Sequence, residues 1–191
     1  MDETFFWLVR HAPVAGPAGV IHAHDAPADL SEHDRLAALR RLLPANASRF
    51  CSPARRTVET AHALSDGPWH EEARFREQDF GAWTGRRHAD LAGELGTAYD
   101  DFWRAPATNR PPRGESFVDQ ITRVASGLAA VGGGHACMVV HSGTVRAILS
   151  IALDLSPDAA LRFVIDPLSL TRLDRLGDRW RIISVNSDPR A

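Results

Sequence analysis

The 191-residue chain has no lysine: all 22 of its basic residues are arginine. Walker A phosphate loops, pyridoxal-phosphate Schiff bases and lysine aldolases each need a lysine amine, so those classes are excluded. Cysteine is scarce as well. Cys51 and Cys137 both sit in apolar, strand-like surroundings, where inert buried thiols are expected before a disulfide or a metal pair. No apolar run approaches the ~20 residues a membrane-spanning helix needs. The N-terminus lacks the basic region and cleavage site of a signal peptide, so a cytoplasmic protein is expected. The net charge is only −2, which gives no reason to propose a nucleic-acid or membrane partner.

With 44% hydrophobic and 24% charged residues, the chain has the composition of a globular protein long enough to bury a core, and one domain over 1–191 is expected. Arginine and alanine are both abundant, so a single arginine needs context before it is given a role. One such context stands near the N-terminus. Phe5-Phe6-Trp7-Leu8-Val9 is an apolar, strand-forming run that switches abruptly to Arg10-His11-Ala12, and Pro13, Gly16 and Gly19 end regular structure after it. A run bounded in this way reads as a buried strand. In open α/β sheets ligands bind beyond the carboxyl ends of strands, which is where Arg10 and His11 fall.

The pattern repeats twice. Residues 48–51 read as a second strand, running into Ser52-Pro53-Ala54-Arg55-Arg56, where Ser52 suits an N-cap and Pro53 the first helical position. The first turn of that helix would offer free N–H groups to an anion. Arg55 and Arg56 diverge by about 100° on a helix, so one of them at most faces a pocket. Residues 135–140 read as a third strand that ends at His141-Ser142-Gly143 before a helix to about 153. Gly132-Gly133-Gly134 precedes this strand and lacks nucleotide-loop spacing.

Between these landmarks the spacing predicts a helix over about 31–43 capped by Ser31, and an extended segment over 70–75. Two helical pieces within 86–104 break at Gly96, and a helix from the Ser116/Asp119 capping box runs to about 131. Leu161–Ile165, Ser169–Arg175 and Trp180–Val185 alternate as strands, the last two joined by a turn at 176–178. The loop at 76–85 carries two acids, Glu77 and Asp79, two aromatics, Phe80 and Trp83, and two glycines. Residues of about 76–115 read as a lid-like insertion. His22, His24 and Asp25 in the loop at 12–30 lack a zinc spacing and read as solvated loop.

If the three strands are neighbours, two arginines and two histidines converge. Guanidinium forks and helix N–H groups would hold phosphoryl oxygens. One neutral imidazole could attack phosphorus, the other would stabilise the charge being transferred, and Glu77 could protonate the leaving oxygen. The arginines supply the positive charge a metal otherwise would, so no metal or other cofactor is expected.

These motifs resemble the histidine phosphatase superfamily, with its phosphoglycerate-mutase-like fold. Arg10-His11-Ala12 is similar to the family's Arg-His-Gly, and Ser52-Pro53-Ala54-Arg55-Arg56 to its Ser-Pro-x-x-Arg. Glu77 with Phe80-Gly81, Trp83 and Gly85 resembles the acid-bearing segment, and His141-Ser142-Gly143 with Arg146 the late His-Gly-Gly. Ala12 and Ser142 stand where the family has glycine, and neither removes a reacting group. The resemblance implies a three-layer α/β sandwich with a central, mostly parallel sheet. It implies a metal-independent phosphomonoesterase with His11 as nucleophile, Glu77 as proton donor and base, and His141 stabilising the transition state. Arg10, Arg56, His141 and Ser142 would bind the phosphate.

The compact chain resembles the phosphatase branch, and Asp79–Gly85 with Gly114-Glu115-Ser116-Phe117 is most similar to the α-ribazole-5′-phosphate phosphatases of cobalamin assembly. The partner implied is a small-molecule phosphomonoester; the oligomeric state is left open, a homodimer included. Alternatives are a broad-specificity phosphatase, a mutase-like phosphoryl transferase, and a catalytically silent phosphate-binding regulatory module. A serine hydrolase elbow at Ser142 would need glycines where Val140 and Thr144 stand. A cysteine phosphatase would need arginines where Thr57 and Gly143 stand.

Overall fold

A six-stranded sheet, described in a computed structural model over residues 3–191, carries every motif named above. The chain runs β1 (Glu3–Arg10), α1 (His33–Leu42), β2 (Ser48–Cys51), α2 (Arg55–Leu64), β3 (His70–Glu71), α3 (His88–Leu95), α4 (Thr97–Arg104) and α5 (Phe117–Ala129). It continues through β4 (Gly134–Val140), α6 (Ser142–Leu153), α7 (Pro157–Ala160), β5 (Leu170–Leu176) and β6 (Arg179–Ser187). The strand order is β3-β2-β4-β1-β5-β6. The first four strands of that order are parallel; β5 pairs antiparallel with β1, and β6 antiparallel with β5 at the edge.

Alternation along β1 explains the three layers. Phe6 and Leu8 point to one face with Ala136, Met138 and Val140 of β4, where α5 and α6 cover them with Val124, Leu128, Ile148 and Leu149. Val9 and Val139 point to the other face, covered by Leu36 and Leu39 of α1 and Ala61 and Leu64 of α2. Both faces of the inner strands are dry, which is why they read as continuous apolar runs rather than alternating ones. The expected three-layer α/β sandwich with a mostly parallel sheet is the fold observed. Among the described residues no helix is long and apolar enough to cross a membrane.

Several local expectations hold. Ser116 and Asp119 form the capping box that starts α5. Gly96, at φ 53°, separates α3 from α4, and Gly177, at φ 67°, turns β5 into β6. Four differ. Residues 161–165 form no strand, because their carbonyls serve buried arginines: Phe163 O accepts from Arg146 Nε at 2.9 Å and Ile165 O from Arg10 at 2.5 Å. Only His70–Glu71 of 70–75 is strand, and Ala73–Phe75 is a 3₁₀ turn. Ser31 does not cap α1, whose N-cap is Glu32. Ser52 does not cap α2, which begins at Arg55 with Ala54 as N-cap; the Ser52 hydroxyl is engaged elsewhere.

Candidate active site

Register brings the three strand ends level. His11 N–H donates to Val140 O at 2.9 Å, and Ser52 N–H donates to Val139 O at 3.1 Å. Both β1 and β2 are parallel neighbours of β4, so Arg10-His11, the turn before α2 and His141 must lie side by side. The two imidazoles meet edge to face with centroids 5.1 Å apart. Arg56 is buried and its guanidinium donates to Ala23 O at 2.9 Å and approaches His141 Nδ1 at 3.4 Å. Arg55 instead points outward and pairs with Glu59 at 2.7 Å. The N–H of Arg55 at the start of α2 is taken by His24 O at 3.0 Å, so that turn has fewer free donors than its position suggested.

Hydrogen-bond chemistry fixes both ring tautomers. Ala12 O only accepts and lies 2.6 Å from His11 Nδ1, so Nδ1 carries the proton and Nε2 keeps a lone pair. A guanidinium only donates, so His141 Nδ1 is the acceptor toward Arg56, and its Nε2–H donates to Ser52 Oγ at 2.8 Å. Burial holds both histidines well below the ordinary imidazole range. His141 and Arg56 add to the effect at His11, and Arg56 and Arg10 add to it at His141. Both rings are therefore neutral at pH 7, and the arginines help to keep them so. Burial also lowers the pKa of Arg10 and Arg56, while Glu77 opposes the shift at each. The guanidiniums remain charged.

Glu77 faces this cluster from the loop after β3. Its Oε1 accepts from Gln78 N–H at 3.1 Å and Gln120 Nε2 at 3.2 Å, and its Oε2 from Gly143 N–H at 3.3 Å and Ser142 Oγ at 3.4 Å. The backbone around it is held too. Thr144 Oγ1 donates to Phe75 O and Arg76 O at 3.1 and 3.2 Å, and Arg123 donates to Arg74 O at 2.7 Å. Gly143 leaves room for this seating, since a Cβ on it would meet the Glu77 carboxylate and the Gln120 amide and push them aside. Ser142, expected beside the phosphate, turns its hydroxyl to Glu77.

Arg10, His11, Arg56, Glu77, His141 and Ser142 line one cavity of about 630 Å³, within the size range of small-molecule sites. Its floor is Arg10, His11, Arg56 and His141, with Glu77 on one wall. The cavity can hold a tetrahedral oxyanion between two guanidiniums and two imidazoles, with a carboxyl group beside it. Arg146 is spent on Phe163 O. Among the described residues no set of three or more His, Cys, Asp or Glu side chains is arranged to hold a metal ion, His22, His24 and Asp25 included. Burial pushes both free cysteine thiols up to about 12, so neither is a thiolate at neutral pH.

Sequence reasoning missed Gln120, Arg123 and Thr144, which fasten the Glu77 loop, and Thr60, which accepts the Ala12 N–H at 3.0 Å. A signal for Gln120 was present: it falls in the buried stripe of α5 with Phe117, Val124 and Leu128, where an amide needs a partner.

Residues 6–188 match the histidine phosphatase superfamily (branch 1). The adenosylcobalamin/α-ribazole phosphatase of Salmonella typhimurium is 28% identical over 166 residues, covering 81% of this chain and 82% of that protein. The bifunctional protein Rv2228c of Mycobacterium tuberculosis is 32% identical over 99 residues, which span 50% of this chain but only 27% of that longer protein. Among solved structures, the α-ribazole phosphatase of Shigella flexneri superposes with a TM-score of 0.84 at 22% identity, each chain 96% covered. YhfR of Bacillus stearothermophilus superposes at 0.83 with 25% identity, each chain 97% covered.

Proposed function

The chain belongs to branch 1 of the histidine phosphatase superfamily, and from that premise we propose that it is a metal-independent phosphomonoesterase working through a phosphohistidine on His11. The observation that carries this reading is the His11 ring: neutral, held by Ala12 O at Nδ1, with its Nε2 lone pair free on a floor that Arg10 and Arg56 make positive.

In the first step His11 Nε2 attacks phosphorus, the P–O bond to the alcohol breaks, and Glu77, as general acid, gives a proton to the departing oxygen. The ring that becomes cationic keeps its Nδ1–H bond to Ala12 O. In the second step Glu77, now a carboxylate, takes a proton from water, which attacks phosphorus. The P–N bond breaks, and phosphate and neutral His11 are released. Arg10 and Arg56 hold the equatorial oxygens, where charge spreads in the transition state, and His141, its Nε2–H given to Ser52 Oγ and its Nδ1 turned to Arg56, supports that charge by seating the Arg56 guanidinium. Residues 76–115 act as a cover that brings Glu77 to this floor and keeps water out until the alcohol departs.

Of the compounds named for its relatives, α-ribazole 5′-phosphate is the substrate we assign, supported by the Salmonella and Shigella proteins. The test is phosphate release with chelator present, from α-ribazole 5′-phosphate, an aryl phosphate and 3-phosphoglycerate. Release that survives the chelator and disappears in His11→Ala is the expected result. Retained turnover in His11→Ala would overturn the nucleophile assignment, and a metal requirement would overturn the mechanism.

A further inference from the structure

The phosphate floor occupies only the inner end of the cavity, and the outer end has a different chemistry. There the α3–α4 pair contributes His88 and Trp103, faced by Val14, Val20 and Ile21 from the loop after β1. Trp103 is 42% exposed, although it is one of the largest apolar side chains of the molecule. Its ring is not loose. It packs edge-on against Phe102 at 5.0 Å and Tyr99 at 6.0 Å, and lies 5.9 Å from the His88 ring. His88 is fixed in turn by a 2.7 Å hydrogen bond between its Nδ1 and the Tyr99 hydroxyl. Its Nε2 has no partner among the described residues.

The two carboxylates on this wall are already engaged by their own chain. Asp79 Oδ1 accepts from Gly81 N–H at 2.8 Å; Glu115 accepts from Asp79 N–H at 3.0 Å and pairs with Arg123. Trp103 and His88 leave open there one face of an indole and one imidazole nitrogen. Such a surface gains by stacking a flat ring and donating or accepting one hydrogen bond at its edge. One cation on the wall, Arg76, has no side-chain partner among the described residues, and it stands beside Glu77 rather than beside the rings. It would serve a substrate with a second anionic group.

We propose that Trp103 and His88 are specificity-determining residues that stack a flat aromatic group carried by the leaving alcohol, a proposal that rests on the phosphatase reading above. The substrate class is then a phosphomonoester whose alcohol joins the phosphate to an aromatic ring system through a saturated spacer. A phosphorylated sugar acid would engage Arg76 but leave both rings uncovered.

The test compares kcat/KM for α-ribazole 5′-phosphate with that for ribose 5-phosphate, which keeps the phosphate and the sugar and lacks the ring; 3-phosphoglycerate is the third substrate. The wild type is expected to favour the ring-bearing ester over ribose 5-phosphate by about tenfold or more, the size of one base–aromatic stack. Trp103→Ala should bring that ratio close to one, and Trp103→Phe should restore most of it. Trp103 is half-exposed, so its truncation leaves the core intact; His88→Ala, checked by circular dichroism, lowers the same ratio by a smaller factor. Equal kcat/KM for the two ribosyl esters overturns the proposal, as does preference for 3-phosphoglycerate, or a Trp103→Ala variant that keeps the ratio or loses both activities equally. No phosphate release from any of the three by the wild type overturns the phosphatase reading itself, and this proposal with it.

Discussion

The two ends of the cavity are built in opposite ways. The inner end stands on strand termini whose positions are set by pairing across the sheet, and its side chains are buried and hydrogen-bonded to fixed backbone. The outer end stands on a loop and two short helices with a small core of their own, formed by Ile21, Trp83, Leu91 and Phe102. That outer segment is tied to the loop after β1 by a bridge between Val20 and Arg87 and by hydrogen bonds such as Gly85 N–H to Ile21 O at 2.7 Å. Long-range register places reacting atoms within tenths of an ångström, while local packing places surfaces that can be exchanged without disturbing the sheet. Changes at the inner end should therefore lower turnover whether or not the alcohol carries a ring, and changes at the outer end should alter the ratio between ring-bearing and ringless substrates.

The sharpest way to break this contrast is at the floor. His11→Ala removes the nitrogen proposed to attack phosphorus and should lower kcat by about 10⁴-fold or more on every ester, measured by phosphate release. Glu77→Gln keeps shape and removes proton transfer, with an expected loss of about 10²–10⁴-fold. That loss should be smaller for esters of acidic phenols, whose oxygen leaves without a proton. An equal loss across leaving groups would sink the acid role.

Gly143→Ala probes the joint between the two regions. The new Cβ collides with the Glu77 carboxylate and the Gln120 amide, both ends of side chains that can swing away. A displacement of about 1 Å in a reacting group costs about 10²-fold in rate. The substitution also places alanine for glycine in a helix, worth up to about 1 kcal/mol of stability. Activity should fall while the melting temperature holds or rises; a drop in both would mean that Gly143 is needed for packing rather than for seating Glu77.

The same contrast explains what was legible in the sequence. Strand-ending motifs are local patterns, an apolar run followed by a breaker, so Arg10-His11, the turn at 52–56 and His141 could be placed on one sheet edge before any coordinates. Helix phase left Arg55 and Arg56 undecided, and the buried guanidinium is Arg56. What fastens Glu77 was not legible. Gln120, Arg123 and Thr144 reach it from α5 and α6 across long stretches of chain, and only the misplaced polarity of Gln120 in an apolar stripe hinted at it. Ser52 was read as a cap because serine before proline at a helix start has that meaning locally. In the fold a buried histidine competes for the same hydroxyl and takes it. The alternation at 161–165 was misleading for the same reason: two arginines from elsewhere use the carbonyls a neighbouring strand would have used.

Ser52→Ala is a smaller perturbation of the inner end. It leaves His141 Nε2–H buried without an acceptor, which costs about 1–3 kcal/mol of stability. It also frees the tautomer, so kcat should fall on all esters while the ratio between ribosyl esters stays unchanged. A changed ratio would show that the inner end also selects substrates.

The mildest test is pH. The folded His11 and His141 have pKa values well below their ordinary value of 6.5 because burial disfavours their charged forms. Above pH 6.5 neither the folded nor the unfolded state binds these protons, and the full stability is present. As pH falls below 6.5 the unfolded chain takes up protons that the folded rings refuse, so stability declines until the folded pKa values are passed. Each ring contributes at most about 1.4 kcal/mol per pH unit over that interval. Urea unfolding at pH 7.5 and pH 5.5 should show the decline, and His141→Gln, which cannot titrate, should show a shallower one. The neutral His11 ring has a parallel consequence for rate. kcat/KM should not begin its acid decline at the ordinary imidazole pKa, because the attacking nitrogen stays unprotonated below it. An acid limb centred near 6.5 in the free enzyme would mean that the floor is wetter than its burial indicates.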